Sequence, residues 1–276
     1  MLTDSLTRFP QRSVLSVPTI TGEQMLEVDR LATRDADLSL LQMMENAGRS
    51  LALVVDAYVH ADRATDETAA REGIGAADSG PVLVLAGSGG NGGGALAAAR
   101  HLRNWGREVQ VVLSAPPGNL SDAGAQQLRT LHKDGLRALW PAAPEFDEHF
   151  PTLLQSAGLV VDGLIGYSLR GPLQGDQALL VEAVLDRAPP AVVSLDVPSG
   201  FDASSGAVAA SGIVATATVT LALPKTGLLQ GDATAAVGEL LLADLGIPAY
   251  IYERLGIAGV GGLFDAGPIL RLIEGD

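Results

Sequence analysis

The chain predicts an α/β fold, a three-layer α/β/α sandwich around a mostly parallel sheet, on three observations. From Val82 onward, short apolar runs alternate with helical patterns of ten or more residues, and crossovers of that length join parallel strands in a right-handed sense. A buried-type strand at 82–86 runs straight into Gly87-Ser88-Gly89-Gly90-Asn91-Gly92-Gly93-Gly94, a turn almost without side chains. Asp162, Asp196 and Lys225 each close or follow an apolar strand pattern. In open α/β sheets, ligands gather outside the carboxyl ends of the strands, near the switch in strand order.

The elements follow in order. Thr21 and Gln24 form a capping box ahead of Met25, Val28 and Leu31, so a first amphipathic helix covers about 21–34. A second starts near Ser39, carries Leu40, Met43, Met44, Ala47, Leu51 and Val54, and fades around His60. Residues 61–80, rich in Ala, Asp, Gly and Glu without an apolar period, read as a surface loop. Next come strand 82–86, helix 95–105, strand 108–113 and a helix over 121–133, capped by Ser121 and ended by Gly135. Residues 136–139 read as a weak strand, 146–157 as helix, 159–163 as strand, 176–187 as helix and 192–196 as strand. Thereafter 217–223 and 239–243 read as strands with little helix between them, extending one sheet edge. The sum is a Rossmann-like sheet preceded by two N-terminal helices.

Composition narrows the function. At 276 residues, 47% hydrophobic and 18% charged, the chain can bury a sizeable core and reads as a single domain over 1–276. It shows no run of apolar residues long enough for a membrane span and no signal-peptide pattern, which places the expectation in the cytoplasm. Zero cysteines exclude disulfides, thiolate catalysis and cysteine-based metal sites. A net charge of −14 argues against broad nucleic-acid binding, while a small anionic ligand can still be met locally by backbone amides, one arginine or a cation. His60, His101, His132 and His149 are scattered without ligand spacing.

The glycine run is the strongest local signal. Glycines let backbone N–H groups approach an anion, and the following helix N-terminus favours negative charge. Gly87, Gly89 and Gly92 satisfy G-x-G-x-x-G, yet the next strand ends in Val-Val-Leu-Ser without the acidic residue that a dehydrogenase-type site uses on the ribose. No Gly-Lys-Ser/Thr follows, which excludes a P-loop. Asn91 either offers its amide to a cation or phosphate, or simply tolerates a left-handed turn. Asp162 follows two valines and needs a cation, donors or a proton to be tolerated there; it is an acid–base or cation-ligand candidate, with a turn aspartate as the alternative. Asp196 and Ser199 either supply oxygens to a ligand or close a structural turn. Residues 166–172 form a loop with an aromatic, a hydroxyl and Arg170. Lys225 is one of only two lysines, the other being Lys133. Glu45 and Asn46 sit inside an apolar helix, where they line a pocket or cap neighbouring backbone.

Taken together, Met44-Glu45-Asn46-Ala47-Gly48, the Gly87–Gly94 turn, Val161-Asp162 with Gly166–Gly171, Leu195–Gly200 and Pro224-Lys225-Thr226-Gly227 resemble, in order, the motifs of the YjeF N-terminal domain family, whose best-known members are NAD(P)H-hydrate epimerases. The resemblance spans about 19–255. It implies an isomerase that interconverts the S and R forms of hydrated NADH and NADPH, repairing damaged nicotinamide cofactors. It also implies a potassium ion held by Asn91, Asp162 and Ser199, and substrate contacts from Gly90, Asn91, Gly92, Gly93, Gly94, Gly166, Tyr167, Ser168, Leu169, Arg170, Gly171, Pro172 and Asp196. Asp162 is the expected proton-transfer residue, with Asp196 holding the ligand. Relatives suggest a homodimer and a separate NAD(P)H-hydrate dehydratase acting alongside. Where the family turn reads Asn-Asn-Gly-Gly-Asp, this chain has Gly90-Asn91-Gly92-Gly93-Gly94, one amide and one acid fewer. The competing reading is a nucleotide-binding or scaffold protein that keeps the fold without turnover.

Overall fold

The computed structural model describes residues 3–71, 80–207, 211–230 and 233–274. Its centre is an eight-stranded sheet in the order β1-β8-β7-β6-β5-β4-β2-β3. The strands are β1 (Gln11–Ser13), β2 (Val82–Ala86), β3 (Val109–Leu113), β4 (Leu159–Gly163), β5 (Val192–Leu195), β6 (Ala217–Leu221), β7 (Glu239–Ala243) and β8 (Ile269–Ile273). Every neighbouring pair is parallel except β7 with β8. The helices are α1 (Gly22–Asp35), α2 (Leu40–Arg71), α3 (Gly90–Asn104), α4 (Asp122–Lys133), α5 (Phe146–Ser156), α6 (Gly175–Arg187), and the single turns α7 (Ala233–Val237) and α8 (Ala249–Glu253).

Alternation along β2 shows how the layers form. Val82, Val84 and Ala86 pack with Leu51, Leu96 and Leu128 on the α2, α3 and α4 side. Leu83 and Leu85 pack with Phe146, Phe150 and Leu180 on the α5 and α6 side. A strand buried on both faces reads as a continuous apolar run, which is why Val-Leu-Val-Leu-Ala was legible as a central parallel strand. A third cluster joins α1 and the first turn of α2 to the chain after β5, β6 and β7 through Met25, Val28, Met43, Val197, Leu223 and Leu245.

The capping box is present: Gln24 N donates to Thr21 Oγ1 at 3.1 Å and Thr21 N donates to Gln24 Oε1 at 3.0 Å. Ser121 Oγ accepts from Gly124 N at 3.2 Å and starts α4. Several boundaries differ from the sequence reading. Helix α2 continues past His60 to Arg71, so 61–71 are not loop; their Ala, Glu, Asp and Arg content sustains a helix without any apolar period. Residues 72–79 lie outside the described residues. Helix α3 begins at Gly90 rather than at 95, because close packing of its first turn outweighs the weak helix propensity of glycine. Residues 136–139 contribute a single bridge, Leu139 beside Val112, in place of a strand. Strands β5 and β6 stop at Leu195 and Leu221 because Asp196 (φ 69°) and Ala222 (φ 65°) turn into left-handed backbone. Strands β1 and β8 went unread. Among the described residues no helix is long and apolar enough to cross a membrane.

Candidate active site

The strand order reverses at β2, where β3 lies on one side and β4 on the other. Loops leaving these strands part there and open a crevice. A cavity of about 300 Å³ occupies it, with walls from α1 (Met25, Asp29), α2 (Leu40, Met43, Met44, Ala47), α3 (Gly90, Asn91, Gly94), the loop after β4 (Gly166, Tyr167, Ser168), and Leu195, Asp196, Leu221, Lys225 and Leu245 at the ends of β5, β6 and β7.

The glycine turn serves packing as well as approach. A Cβ on Gly92 would lie 1.8 Å from the Gly87 carbonyl oxygen, so the turn closes only without one. At Gly90, by contrast, a Cβ would meet nothing within 4 Å. Gly89 caps α3 with no side-chain bond, and the first intrahelical bond is Gly93 N to Gly89 O at 3.1 Å. The N–H groups ahead of it have no carbonyl within their own helix and point out of its N-terminus.

Asp162, one residue before the end of β4, has zero exposure. Its Oδ1 accepts from Ser199 Oγ at 2.5 Å and Leu164 N at 3.3 Å; its Oδ2 accepts from Ser194 Oγ at 2.9 Å and Ser199 N at 2.8 Å. Burial pushes this carboxyl above the usual carboxylate range, and the four hydrogen bonds oppose that push. It lies behind the cavity wall, not in it, so the expected direct proton transfer from Asp162 finds no open lone pair.

Asp196 does reach the cavity. Its left-handed backbone turns the side chain away from the sheet at once after β5, a conformation that Asp tolerates better than most residues. Lys225, fully buried, donates Nζ to Asp196 Oδ1, to Leu221 O at 2.8 Å and to Thr220 Oγ1 at 3.5 Å, and sits 5.7 Å from the centre of the Tyr167 ring. Asp196 Oδ2 accepts the Tyr167 backbone N–H at 2.8 Å. Asn91 Nδ2 donates to Leu195 O at 3.2 Å, leaving its carbonyl toward Gly166.

Of the residues singled out from sequence, Gly90, Asn91, Gly94, Gly166, Tyr167, Ser168 and Asp196 line the cavity, and Lys225 joins them. Gly92 and Gly93 face Gly87 and Met44 instead. Leu169, Gly171 and Pro172 are outside the lining, and the exposed Arg170 bonds carbonyls of its own loop. Ser199 holds Asp162. Glu45 pairs with Arg100 and His101 between α2 and α3, and Asn46 donates to Leu245 O at 2.9 Å, a backbone cap. Asp29 was missed. Its signal was an acid four residues after Met25, on the apolar face of an otherwise regular amphipathic helix.

Comparison with known proteins agrees with this geometry. Residues 40–227 match the family described as YjeF-related protein N-terminus. A protein of Dehalogenimonas lykanthroporepellens named NAD(P)H-hydrate epimerase is 41% identical over 93% of this chain and 94% of its own length. One of Rhodopirellula baltica with the same name is 29% identical over 89% and 91%. A Moorella thermoacetica protein named bifunctional NAD(P)H-hydrate repair enzyme Nnr is 32% identical over 83% of this chain but only 40% of its own. The crystal structure of yeast ynu0 superposes with a TM-score of 0.71, covering 92% of this chain and 99% of that one at 23% identity, a likeness of fold. With the matched segment running from the start of α2 through the buried Lys225 to Gly227, the chain belongs to the YjeF-related N-terminal family.

Proposed function

We propose that this protein is an isomerase, an NAD(P)H-hydrate epimerase acting on the C6 hydroxyl of hydrated nicotinamide cofactors. The observation that carries the reading is the convergence of Asn91, Tyr167, Asp196 and Lys225 on one cavity at the switch point, in a chain 41% identical to an epimerase over almost its whole length. A space of about 300 Å³ suits the ring end of a dinucleotide, at the lower limit of ligand cavities. Met25, Met43, Met44 and Leu195 supply apolar walls for the ring, while the free amides at the start of α3 await the charged pyrophosphate outside. Asp162 acts as a positioning residue: by gripping Ser199 and Leu164 it fixes the turns that carry Asp196 and Tyr167. Nuclear magnetic resonance or chiral chromatography of hydrated NADH tests the reading, with S/R exchange above the uncatalysed rate expected.

Potassium belongs to the same proposal. Among the described residues no three His, Cys, Asp or Glu side chains gather, but Asn91, Asp162 and Ser199 offer the all-oxygen donor chemistry that a hard monovalent cation takes. A cation there would draw the Ser199 hydroxyl off Asp162 and would supply positive charge beside the entering pyrophosphate. The homodimer and the separate dehydratase are also proposals. Leu15 and Leu26, 85% and 60% exposed at the N-terminal side, support pairing of copies, and relatives named bifunctional repair enzymes support a partner activity.

A further inference from the structure

The cavity holds a second carboxylate, on the wall that α1 supplies. Asp29 of α1 is half-buried, lines the same space as Asp196 and Lys225, and accepts the Tyr167 hydroxyl at Oδ2, 2.6 Å away. Tyr167 therefore spans two acids, its hydroxyl on Asp29 and its backbone N–H on Asp196. The two differ in company: Asp196 has a lysine ammonium and Asp29 a neutral phenol.

Inverting C6 requires oxygen to leave from one face and return on the other, so protons must move on both sides of the ring. Resting on the epimerase reading above, we propose that Asp29 and Asp196 form a two-sided acid–base pair for this exchange. In one direction the Asp29 carboxyl gives its proton to the C6 hydroxyl. The C6–O bond breaks, its electron pair departs with the oxygen as water, and the ring nitrogen lone pair forms the C6=N bond. Water on the opposite face adds to C6, the C=N pair returns to nitrogen, and the proton released by that water passes to the Asp196 carboxylate. Proton exchange with solvent resets the pair, and the reverse direction uses the same groups in exchanged roles.

Burial holds the Asp29 carboxyl above the usual carboxylate range. The Tyr167 hydrogen bond and the Lys225 charge oppose that rise, and the Asp196 charge adds to it. Tyr252 of α8 also faces Asp29. Burial thus favours the protonated form of Asp29, the form that donates in the first step, and loss of that proton sets the alkaline limb of kcat/KM. Removing the Tyr167 hydroxyl deletes a bond that favours the charged form, so the limb moves to higher pH in Tyr167→Phe.

The experiment follows hydrated NADH in ¹⁸O-labelled water, with binding measured separately. Wild-type protein should incorporate label at C6 with each inversion. Asp29→Asn should lower kcat by a factor on the order of 10² or more while keeping affinity within about threefold, and Tyr167→Phe should show the upward alkaline shift. Epimerisation by Asp29→Asn at the wild-type rate, or inversion without label, overturns the pair alone. Wild-type protein that binds hydrated NADH without exchange overturns the epimerase reading and the pair with it.

Discussion

Two polar regions meet at the sheet edge and solve the problem of a buried carboxylate in opposite ways. Behind the wall, Asp162 has no cation and is satisfied by four donors, two hydroxyls and two backbone amides. In the cavity, Asp196 is met by the ammonium of Lys225 and one amide. The first arrangement fixes geometry and frees an oxygen only when one of its own hydrogen bonds is given up. The second keeps a charged pair beside an open space, where its hydrogen bonds can be redistributed when a substrate enters. The difference separates residues that shape a site from residues that work in it.

The largest expected effect comes from breaking the charged region. Lys225→Met leaves Asp196 buried without its cation and should destabilise the fold by about 3–5 kcal/mol, read from denaturant midpoints. Adding Asp196→Asn, which tolerates the same left-handed backbone, should recover at least half of that loss; no recovery would mean that lysine contributes by packing instead. Next is the region behind the wall. Asp162→Asn puts an amide N–H₂ against two of four donors and should cost about 1–3 kcal/mol, whereas kcat of the folded protein should fall less than tenfold. A loss of a hundredfold or more with stability intact would return Asp162 to the chemistry. Smallest is Gly90→Asn: a Cβ there meets open space, so stability should change by less than about 0.5 kcal/mol, and KM for hydrated NADH should fall if the restored amide reaches the substrate. A raised KM would show that the glycine keeps the entrance clear.

Much of this contrast was written in the sequence, and the omissions have physical causes. Central strands announced themselves because burial on both faces leaves an unbroken apolar run, as in 82–86 and 159–163. Caps at Thr21 and Ser121 were readable because they depend on residues three apart. The edge strands β1 and β8 were not readable. Three residues such as Gln11–Ser13 carry no period, and their pairing with Ile269–Ile273 depends on chain 260 residues away in the folded sheet. Asp162, Asp196 and Lys225 were found because each interrupts or follows an apolar strand, but nothing in the order of residues told which would face the cavity. That distinction lies in one torsion, the positive φ of Asp196, which turns its carboxylate outward while Asp162 stays within the ladder. Asp29 escaped notice because a single acid on a helical face is usually solvated, and only the fold brings Tyr167 to it.

The lining of the cavity joins α1, near the start of the chain, to the loop after β7 more than two hundred residues later. Any occupant must therefore fasten the first helix, the glycine-turn helix and four strand ends to one another, like a rivet through several plates. A compound held at a hundred times its Kd adds about 2.7 kcal/mol of stability, and here that gain is shared by the chain from end to end. Melting curves recorded against a panel of nucleotides would consequently serve as a ligand search that needs no knowledge of the reaction.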